Sequence, residues 1–315
     1  MKAVVIHQHG STDVLKYEDV VQPTIRRNQL LVRVRATSVN PLDWKLRKGM
    51  LKLLTSFRLP FILGSDVAGD VVAIGDTVTE FKVGDAVYAC LDLAAGAYAE
   101  YVAVPANYAA LKPKNLSYVE AAAVPLAATT ALQALRDRSK LQPGQRVLIN
   151  GAAGGVGTFA VQIAKVLGAE VTAVCSGKNE ELVRSLGADR VIDYTQQDVT
   201  QLSDTTYDVV FDAVGKLSLA RCRNILGSKG VYVTTLPMPL EAVRGLLLEL
   251  NPGPKSRFVL AQPNGRDLAY LKDSIEAGRV RPIVERTYPL ADVAAAHTDS
   301  EAGHTVGKIV MTVSS

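Results

Sequence analysis

Asn150-Gly151-Ala152-Ala153-Gly154-Gly155-Val156-Gly157 follows the apolar run Val147-Leu148-Ile149 and opens straight into a segment with apolar residues at 156, 159, 160, 163, 164 and 167. That spacing is the i, i+3, i+4, i+7 rhythm of one helix face, so the local order is strand, glycine turn, helix. Gly154 and Gly157 let the backbone come close to a ligand and the helix come close to the sheet. A helix N-terminus adds unpaired N–H groups and the positive end of a dipole, which together suit a dinucleotide pyrophosphate. Gly154, Gly155, Val156 and Gly157 are therefore the candidate phosphate-binding positions. A tight strand-to-helix turn also selects glycine on packing grounds alone, so the reading takes its weight from the order of the elements.

The residues that follow choose the cofactor. A site for NAD usually carries an Asp or Glu about 20 residues further on, at the end of the second strand, where it binds the ribose 2′-hydroxyl. Here that strand is Glu170-Val171-Thr172-Ala173-Val174-Cys175, and it runs into Ser176-Gly177-Lys178-Asn179 with no carboxylate. A hydroxyl and a lysine suit an added 2′-phosphate, because the repelling acid is missing and a cation is supplied. The expected cofactor is NADP(H). The plainer alternative is that Ser176 caps the helix at residues 180–186 and Lys178 is solvated.

Composition fits an enzyme of about two domains: 315 residues, 48% of them hydrophobic, are enough for two sizeable cores. The 35 basic side chains exceed the 31 acidic ones by four, with no long basic run, so nucleic acid is not an expected partner. The N-terminal Met1-Lys2-Ala3-Val4-Val5-Ile6 reads as a strand and not a signal peptide, since His7, Gln8 and His9 end the apolar run. No stretch approaches the roughly 20 apolar residues of a membrane helix, and a location in the cytoplasm or within a reducing organelle is expected. Cys90, Cys175 and Cys222 are single and far apart, and the four histidines stand without partners at ligand spacing, so no metal site is expected.

Three blocks divide the chain. Up to about residue 116, short strands alternate with turn signals: residues 31–37 alternate in polarity, residues 67–74 form an apolar run interrupted by Gly69, and residues 84–88 begin another strand. This block reads as a small antiparallel barrel. From about residue 120 to 260, helices alternate with strands, the later strands being 207–211, 230–234 and 258–260, which gives a doubly wound parallel sheet. Strand-like segments return from residue 279 to 313, around one helix at residues 290–298.

Several separate segments resemble the medium-chain dehydrogenase/reductase superfamily, in its zinc-free quinone oxidoreductase branch. Asn40-Pro41-Leu42-Asp43-Trp44 resembles that family's N-P-x-D segment, and Gly64-Ser65-Asp66-Val67-Ala68-Gly69 its G-x-D-x-A-G. Tyr98-Ala99-Glu100-Tyr101-Val102, Glu120-Ala121-Ala122-Ala123-Val124-Pro125 with Thr130, and Gly187-Ala188-Asp189 with Val191-Ile192-Asp193-Tyr194 match further segments. The resemblance covers nearly the whole chain. It implies an α/β fold in which a Rossmann sheet is inserted in a GroES-like β-barrel catalytic domain, with residues 1–122 and 262–315 in the barrel domain and 123–261 in the nucleotide domain. Zinc-dependent relatives carry a Cys where Asn40 stands and a His-Glu pair where Ser65-Asp66 stands, and they have a four-cysteine lobe that is missing between Ala89 and Ala97.

Without a Lewis acid, an alkoxide loses its stabiliser, whereas a quinone or an α,β-unsaturated carbonyl accepts hydride into a delocalised anion and does not need one. The resemblance thus implies an NADPH-dependent quinone or enone oxidoreductase, with catalytic candidates Asn40, Asp43 and Thr130. Thr130 and Asn40 would flank the nicotinamide and its carboxamide, while Ser176, Lys178 and Tyr194 would meet the 2′-phosphate. Asp212-Ala213-Val214-Gly215 matches the loop past the nicotinamide ribose, although Asp212 reads equally as a turn residue before glycine. Asp43, Lys45 and Tyr88 are conceivable proton donors, and solvent is a fourth. The apolar residues 236–250 and the segment 51–61 are candidate pocket walls or lids. Residues 230–234 are expected near a sheet edge where two chains pair into a homodimer. Gly303-His304-Thr305-Val306-Gly307-Lys308 resembles a family ending that often has Arg where Val306 stands. A second reading, from a different class, is an NADPH-binding structural or regulatory protein with little turnover.

Overall fold

In the computed structural model, residues 1–52, 58–91, 95–202, 205–235 and 253–314 are described. Their strands are, in chain order, β1 (Lys2–Ile6), β2 (Leu15–Asp19), β3 (Gln29–Val39), β4 (Phe61–Ile62), β5 (Asp66–Ile74), β6 (Ala86–Cys90), β7 (Tyr101–Pro105), β8 (Ala109–Leu111), β9 (Arg146–Asn150), β10 (Glu170–Cys175), β11 (Arg190–Asp193), β12 (Tyr207–Asp212), β13 (Leu226–Thr234), β14 (Lys255–Phe258), β15 (Val284–Pro289) and β16 (Lys308–Thr312). The helices are α1 (Pro41–Arg47), α2 (Tyr118–Ala122), α3 (Pro125–Leu132), α4 (Gly155–Val166), α5 (Glu180–Ser185), α6 (Leu219–Cys222), α7 (Gly265–Glu276) and α8 (Val293–Glu301).

Two units emerge: Met1–Leu126 with Gln262–Ser315, and Ala127–Ala261. The break falls after residue 126, four residues beyond the boundary expected at 122.

The first unit is built around the long strand β3, which pairs antiparallel with β5, β7 and β16. Its larger sheet runs β15-β16-β3-β5-β6-β8, and a smaller one runs β2-β1-β4. β16 pairs with β3 in the register Ile309↔Val39 and Val310↔Ser38, so the last strand of the chain lies against the strand that leads to Asn40. Val32, Val67, Val87, Val104, Leu63 and Met311 are among the side chains that fill this core, and apolar burial of this kind is the main stabilising term. β5 runs unbroken through Gly69, because a Cβ there would sit 2.1 Å from the carbonyl oxygen of Arg33 on β3. What the sequence presents as an interruption is a close contact between strands.

The second unit holds an all-parallel sheet in the order β11-β10-β9-β12-β13-β14, with Leu148, Val174, Ile192, Val210 and Tyr232 in its core. In order of occurrence this is 3-2-1-4-5-6, the doubly wound dinucleotide-binding arrangement whose switch point lies between β9 and β12. Among the described residues the edge strand is β14, at Lys255–Phe258, and β13 is covered by it on that side. Residues 230–234 thus lie near the edge but one strand in from it, with β14 between, and the strand expected at 258–260 is corrected to Lys255–Phe258. The candidate wall at residues 236–250 lies outside the described residues, as do residues 53–57 of the segment 51–61.

Candidate functional site

In the second unit, β9 ends at Asn150 and the chain turns through Gly151, whose φ of +79° is a left-handed conformation that favours glycine. Ala152 N–H and Gly151 N–H both donate to the Val174 carbonyl, at 3.0 and 3.1 Å, which pins the turn to β10. Helix α4 begins at Gly155 with Gly154 as its N-cap, and no side chain caps it. Its first backbone bond runs from Thr158 N–H to Gly154 O at 2.9 Å, so the N–H groups of Gly155, Val156 and Gly157 precede the intrahelical ladder. A Cβ on Gly157 would lie 2.1 Å from Gly151 O and 2.7 Å from Ala152 Cα, whereas one on Gly154 would meet nothing closer than 3.4 Å. Gly157 is thus required by helix-to-turn packing, while the bare edge at Gly154 is open to a ligand. An uncapped helix end with an open glycine edge at the switch point fits a dinucleotide pyrophosphate.

Asp212 ends β12 beside this turn, in register with Asn150. Its carboxylate is fully buried: Oδ1 accepts from Asn150 Nδ2 at 2.9 Å and from the N–H groups of Val214 and Gly215, and Oδ2 accepts from Leu217 N–H at 2.6 Å and from the Tyr232 hydroxyl. Of the two readings of this residue, the turn residue agrees with that geometry. Asp212 shapes the loop, and its oxygens are engaged inside the protein.

Ser176, Lys178 and Tyr194 come together at the ends of β10 and β11. Ser176 opens a 3-10 turn over Gly177–Asn179 and its Oγ accepts from Asn179 Nδ2 at 3.2 Å, without capping the turn. Lys178 is exposed and Tyr194 is 60% exposed, and Tyr194 N–H donates to the Cys175 carbonyl. One carboxylate stands here that reading along β10 alone misses. Asp193, on the neighbouring strand, is the register partner of Cys175 and accepts from the backbone N–H and hydroxyl of Thr195 and, more weakly, from the backbone of Gly177, which hold it below the usual carboxylate range. Thr130 lies on α3 and is 8% exposed.

The first unit contains a buried polar cluster around Asn40 and Asp43. Pro41 starts α1, and Asp43 accepts from Asn40 N–H at 2.8 Å through Oδ2, closing the first turn. The Tyr98 hydroxyl donates to the same oxygen at 3.1 Å, and Ser65 Oγ stands 3.4 Å from the other. Burial pushes the Asp43 carboxyl up to about 7, with the Asn40 N–H bond opposing and the nearby Asp66 charge assisting. Behind Tyr98, His297 Nε2 lies 3.1 Å from the hydroxyl, and its Nδ1 lies 3.2 Å from Arg47 Nη1. Arginine only donates, so Nδ1 accepts and the imidazole proton sits on Nε2. Every bond in the row from Arg47 through His297 and Tyr98 therefore points toward Asp43. Burial and the Arg47 charge press His297 down to about 3, which keeps it neutral. Arg47 is paired at its other side with Glu301.

Beside this row, Asp66 is also fully buried. Its Oδ1 accepts from Leu126 N–H at 2.7 Å, and its Oδ2 from Asn40 Nδ2 at 2.8 Å and from Ser38 Oγ. Lys308, 4% exposed, places its Nζ 3.5 Å from Asp66 Oδ2, 3.3 Å from the Val39 carbonyl and in hydrogen-bond contact with Asn40 Oδ1. In the sequence Asp66 and Lys308 stand only as parts of motifs, and His297 has no partner at ligand spacing. The available signal was Lys308 itself, a lone charge opening the apolar run Ile309-Val310-Met311. Tyr88 is removed as a proton donor, since its buried hydroxyl donates to the Leu268 carbonyl at 2.6 Å and burial raises its pKa. Lys45 lies 5.4 Å from the centroid of the Trp44 ring, and burial lowers its pKa.

Residues 26–114 match the family model described as alcohol dehydrogenase GroES-like domain, and residues 186–311 the one described as zinc-binding dehydrogenase. The chain is 41% identical over 323 residues to the chloroplastic NADPH-dependent alkenal/one oxidoreductase of Arabidopsis thaliana, covering 99% of this chain and 79% of that protein. It is 39% identical, with the same coverage, to 2-methylene-furan-3-one reductase of Solanum lycopersicum. Among solved structures, the quinone oxidoreductase from Coxiella burnetii superposes with a TM-score of 0.90 at 33% identity, over 100% of this chain and 99% of that one. The chain belongs to the medium-chain dehydrogenase/reductase superfamily, among its quinone oxidoreductases and alkenal/one reductases.

Proposed function

We propose that this chain is an NADPH-dependent reductase of activated C=C bonds in α,β-unsaturated aldehydes and ketones, acting without zinc and extending to quinones. The observation that carries it is the Lys308 ammonium held between Asn40 and Asp66. By the resemblance, these two positions correspond to metal-ligand positions of the zinc-dependent enzymes. A fixed cation there satisfies Asp66 and leaves no electrostatic role for a metal, so an acceptor that needs no Lewis acid is the matching substrate. The alkenal/one and methylene-furanone relatives support the same bond type.

When bound, NADPH supplies the hydride. The uncapped N–H groups of Gly155, Val156 and Gly157 would hold its pyrophosphate, and Ser176, Lys178 and Tyr194 its 2′-phosphate. Hydride adds to the β-carbon of the enone, the C=C π electrons move toward the carbonyl, and a proton reaches the α-carbon to leave the saturated carbonyl compound. Because the Asp43 carboxylate and the Tyr88 hydroxyl are engaged inside the protein, the proton comes from solvent or from Lys45 in this reading. Two chains paired along β14 would cover the free edge of that strand and Phe258, which is 45% exposed.

The test is NADPH oxidation with a panel of enones and naphthoquinones, with analysis of one enone product. A saturated ketone supports the reading. Tight NADPH binding without turnover of any acceptor favours a binding protein instead. About one zinc per chain, with activity lost on chelation, would refute the metal-free mechanism. A monomeric mass at micromolar concentration would refute the pairing.

A further inference from the structure

Lys308 and Asn40 are 268 residues apart, yet the pairing of β16 with β3 sets them side by side. An ammonium has three N–H donors and no acceptor. Lys308 donates to the Val39 carbonyl and to Asn40 Oδ1, and its charge is paired with Asp66 Oδ2 at 3.5 Å. The lysine is 4% exposed and its partners lie inside the unit. Its effect falls on the amide. With the ammonium on one side of the Asn40 head group and the Asp66 carboxylate on the other, only one orientation of that amide is attractive at both. The oxygen must face Lys308 and the nitrogen must face Asp66. A flip would set N–H against ammonium and oxygen against carboxylate at once. One of the two Asn40 N–H bonds is used by Asp66 at 2.8 Å, and among the described residues none accepts from the second.

We propose that Lys308 is a positioning residue that locks the Asn40 amide with its second N–H presented as a hydrogen-bond donor to a carbonyl oxygen, either that of the nicotinamide carboxamide or that of the enone. The proposal rests on the reductase reading given above for the choice of ligand. The locked amide itself does not depend on that reading. A donor fixed before the ligand arrives needs no reorganisation when it is used, which is the benefit of holding it by charge on both sides.

The experiment compares Asn40→Ala, Lys308→Met and the double variant, each checked for native circular dichroism. If Lys308 acts through Asn40, both single variants lose roughly ten- to a hundredfold in kcat/KM, and the double variant loses no more than the worse single one. Losses that multiply in the double variant, or a folded Lys308→Met of unchanged kcat/KM, overturn the proposal. Lys308→Arg, which keeps a donor toward Asn40, should recover part of the loss, and no recovery counts against the assignment. A weakened NADPH dissociation constant assigns the donor to the carboxamide, whereas a changed enone kcat or KM at unchanged NADPH affinity assigns it to the substrate.

Where Lys308→Met fails to fold, the unmutated protein decides. With 15N-labelled asparagine, one Asn40 side-chain proton should exchange slowly without ligand, and the other should become protected on adding NADP+ or an unreactive saturated ketone. Two protons of equal exchange rate in every state would overturn the locked amide. Absence of NADPH binding and turnover in the unmutated chain, with one proton still protected, would instead refute the reductase reading and leave the amide lock standing.

Discussion

The glycine turn of the nucleotide unit and the lysine cluster of the barrel unit are the two candidate sites, and they are made in opposite ways. The turn is contiguous, eight residues long, and works through backbone N–H groups that the helix leaves unpaired. The cluster is assembled from Ser38, Asn40, Asp43, Asp66, Tyr98, His297 and Lys308, and works through buried side chains whose directions are set by one another. A backbone site tolerates any side chain that leaves both the chain path intact and the approach of the ligand clear. A charge-locked site depends on every member, because removing one leaves another buried and unpaired.

The largest effect is expected in the turn. Gly157→Val forces a side chain into backbone atoms within 2.1 Å of the ideal Cβ, so NADPH affinity should fall more than about a hundredfold with the loss of pyrophosphate contacts. Gly154→Ala sharpens the test, since its Cβ has room. It should keep the melting temperature while weakening NADPH, as measured by titration and thermal unfolding. A Gly154→Ala variant with full affinity would mean that the turn serves packing alone.

In the cluster, Asp66→Ala strips the counter-charge from a lysine that is 4% exposed. Denaturant unfolding should show a loss of about 3–5 kcal/mol, typical for breaking a buried pair. The double variant Asp66→Leu with Lys308→Met should recover much of it. If the double variant is no better than Asp66→Ala, packing and the Leu126 N–H contact matter more than the charge.

A smaller change is expected at the exposed loop. Lys178→Ala should weaken NADPH roughly ten- to a hundredfold relative to NADH, the value of one charge-assisted contact. Ser176→Asp should go further and turn the preference toward NADH by repelling the 2′-phosphate. Equal loss of both cofactors in Lys178→Ala would show that this loop does not choose between them.

The smallest effect separates the two buried titrating groups. Asp43, with its folded pKa raised to about 7, favours the folded state fully below the ordinary Asp range and loses that contribution as pH rises toward 7. His297, pressed down to about 3, works in the other direction: its contribution is present above about 6.5 and is lost as pH falls toward 3. The two slopes oppose each other between about pH 4 and 6.5. Asp43→Asn should therefore leave stability that rises with pH over that window, and His297→Gln stability that falls. Melting temperatures at several pH values read this directly, and slopes of the same sign in both variants would contradict the buried row.

Several features were legible in the sequence because their causes are local. The strand, glycine turn and helix at residues 147–167 follow from apolar spacing and from glycine where no Cβ fits, and the alternation of strands and helices gives a doubly wound sheet. The family motifs located Asn40 and Asp43. The sequence by itself could not choose between Asp212 as a ribose-side loop residue and as a turn residue, because that depends on five donors, three from the loop that follows it and two from the strands β9 and β13, converging on one carboxylate. Nor could it bring Asp193 beside Gly177, or place β14 outside β13, since both follow from strand order. The tertiary structure alone decided that Lys308 and His297 belong with Asn40 and Asp43. Their separations of about 250 residues leave no periodicity to read, and it is the pairing of the last strand with β3 and the docking of α8 that put a cation and a fixed tautomer where a local reading sees only a tail.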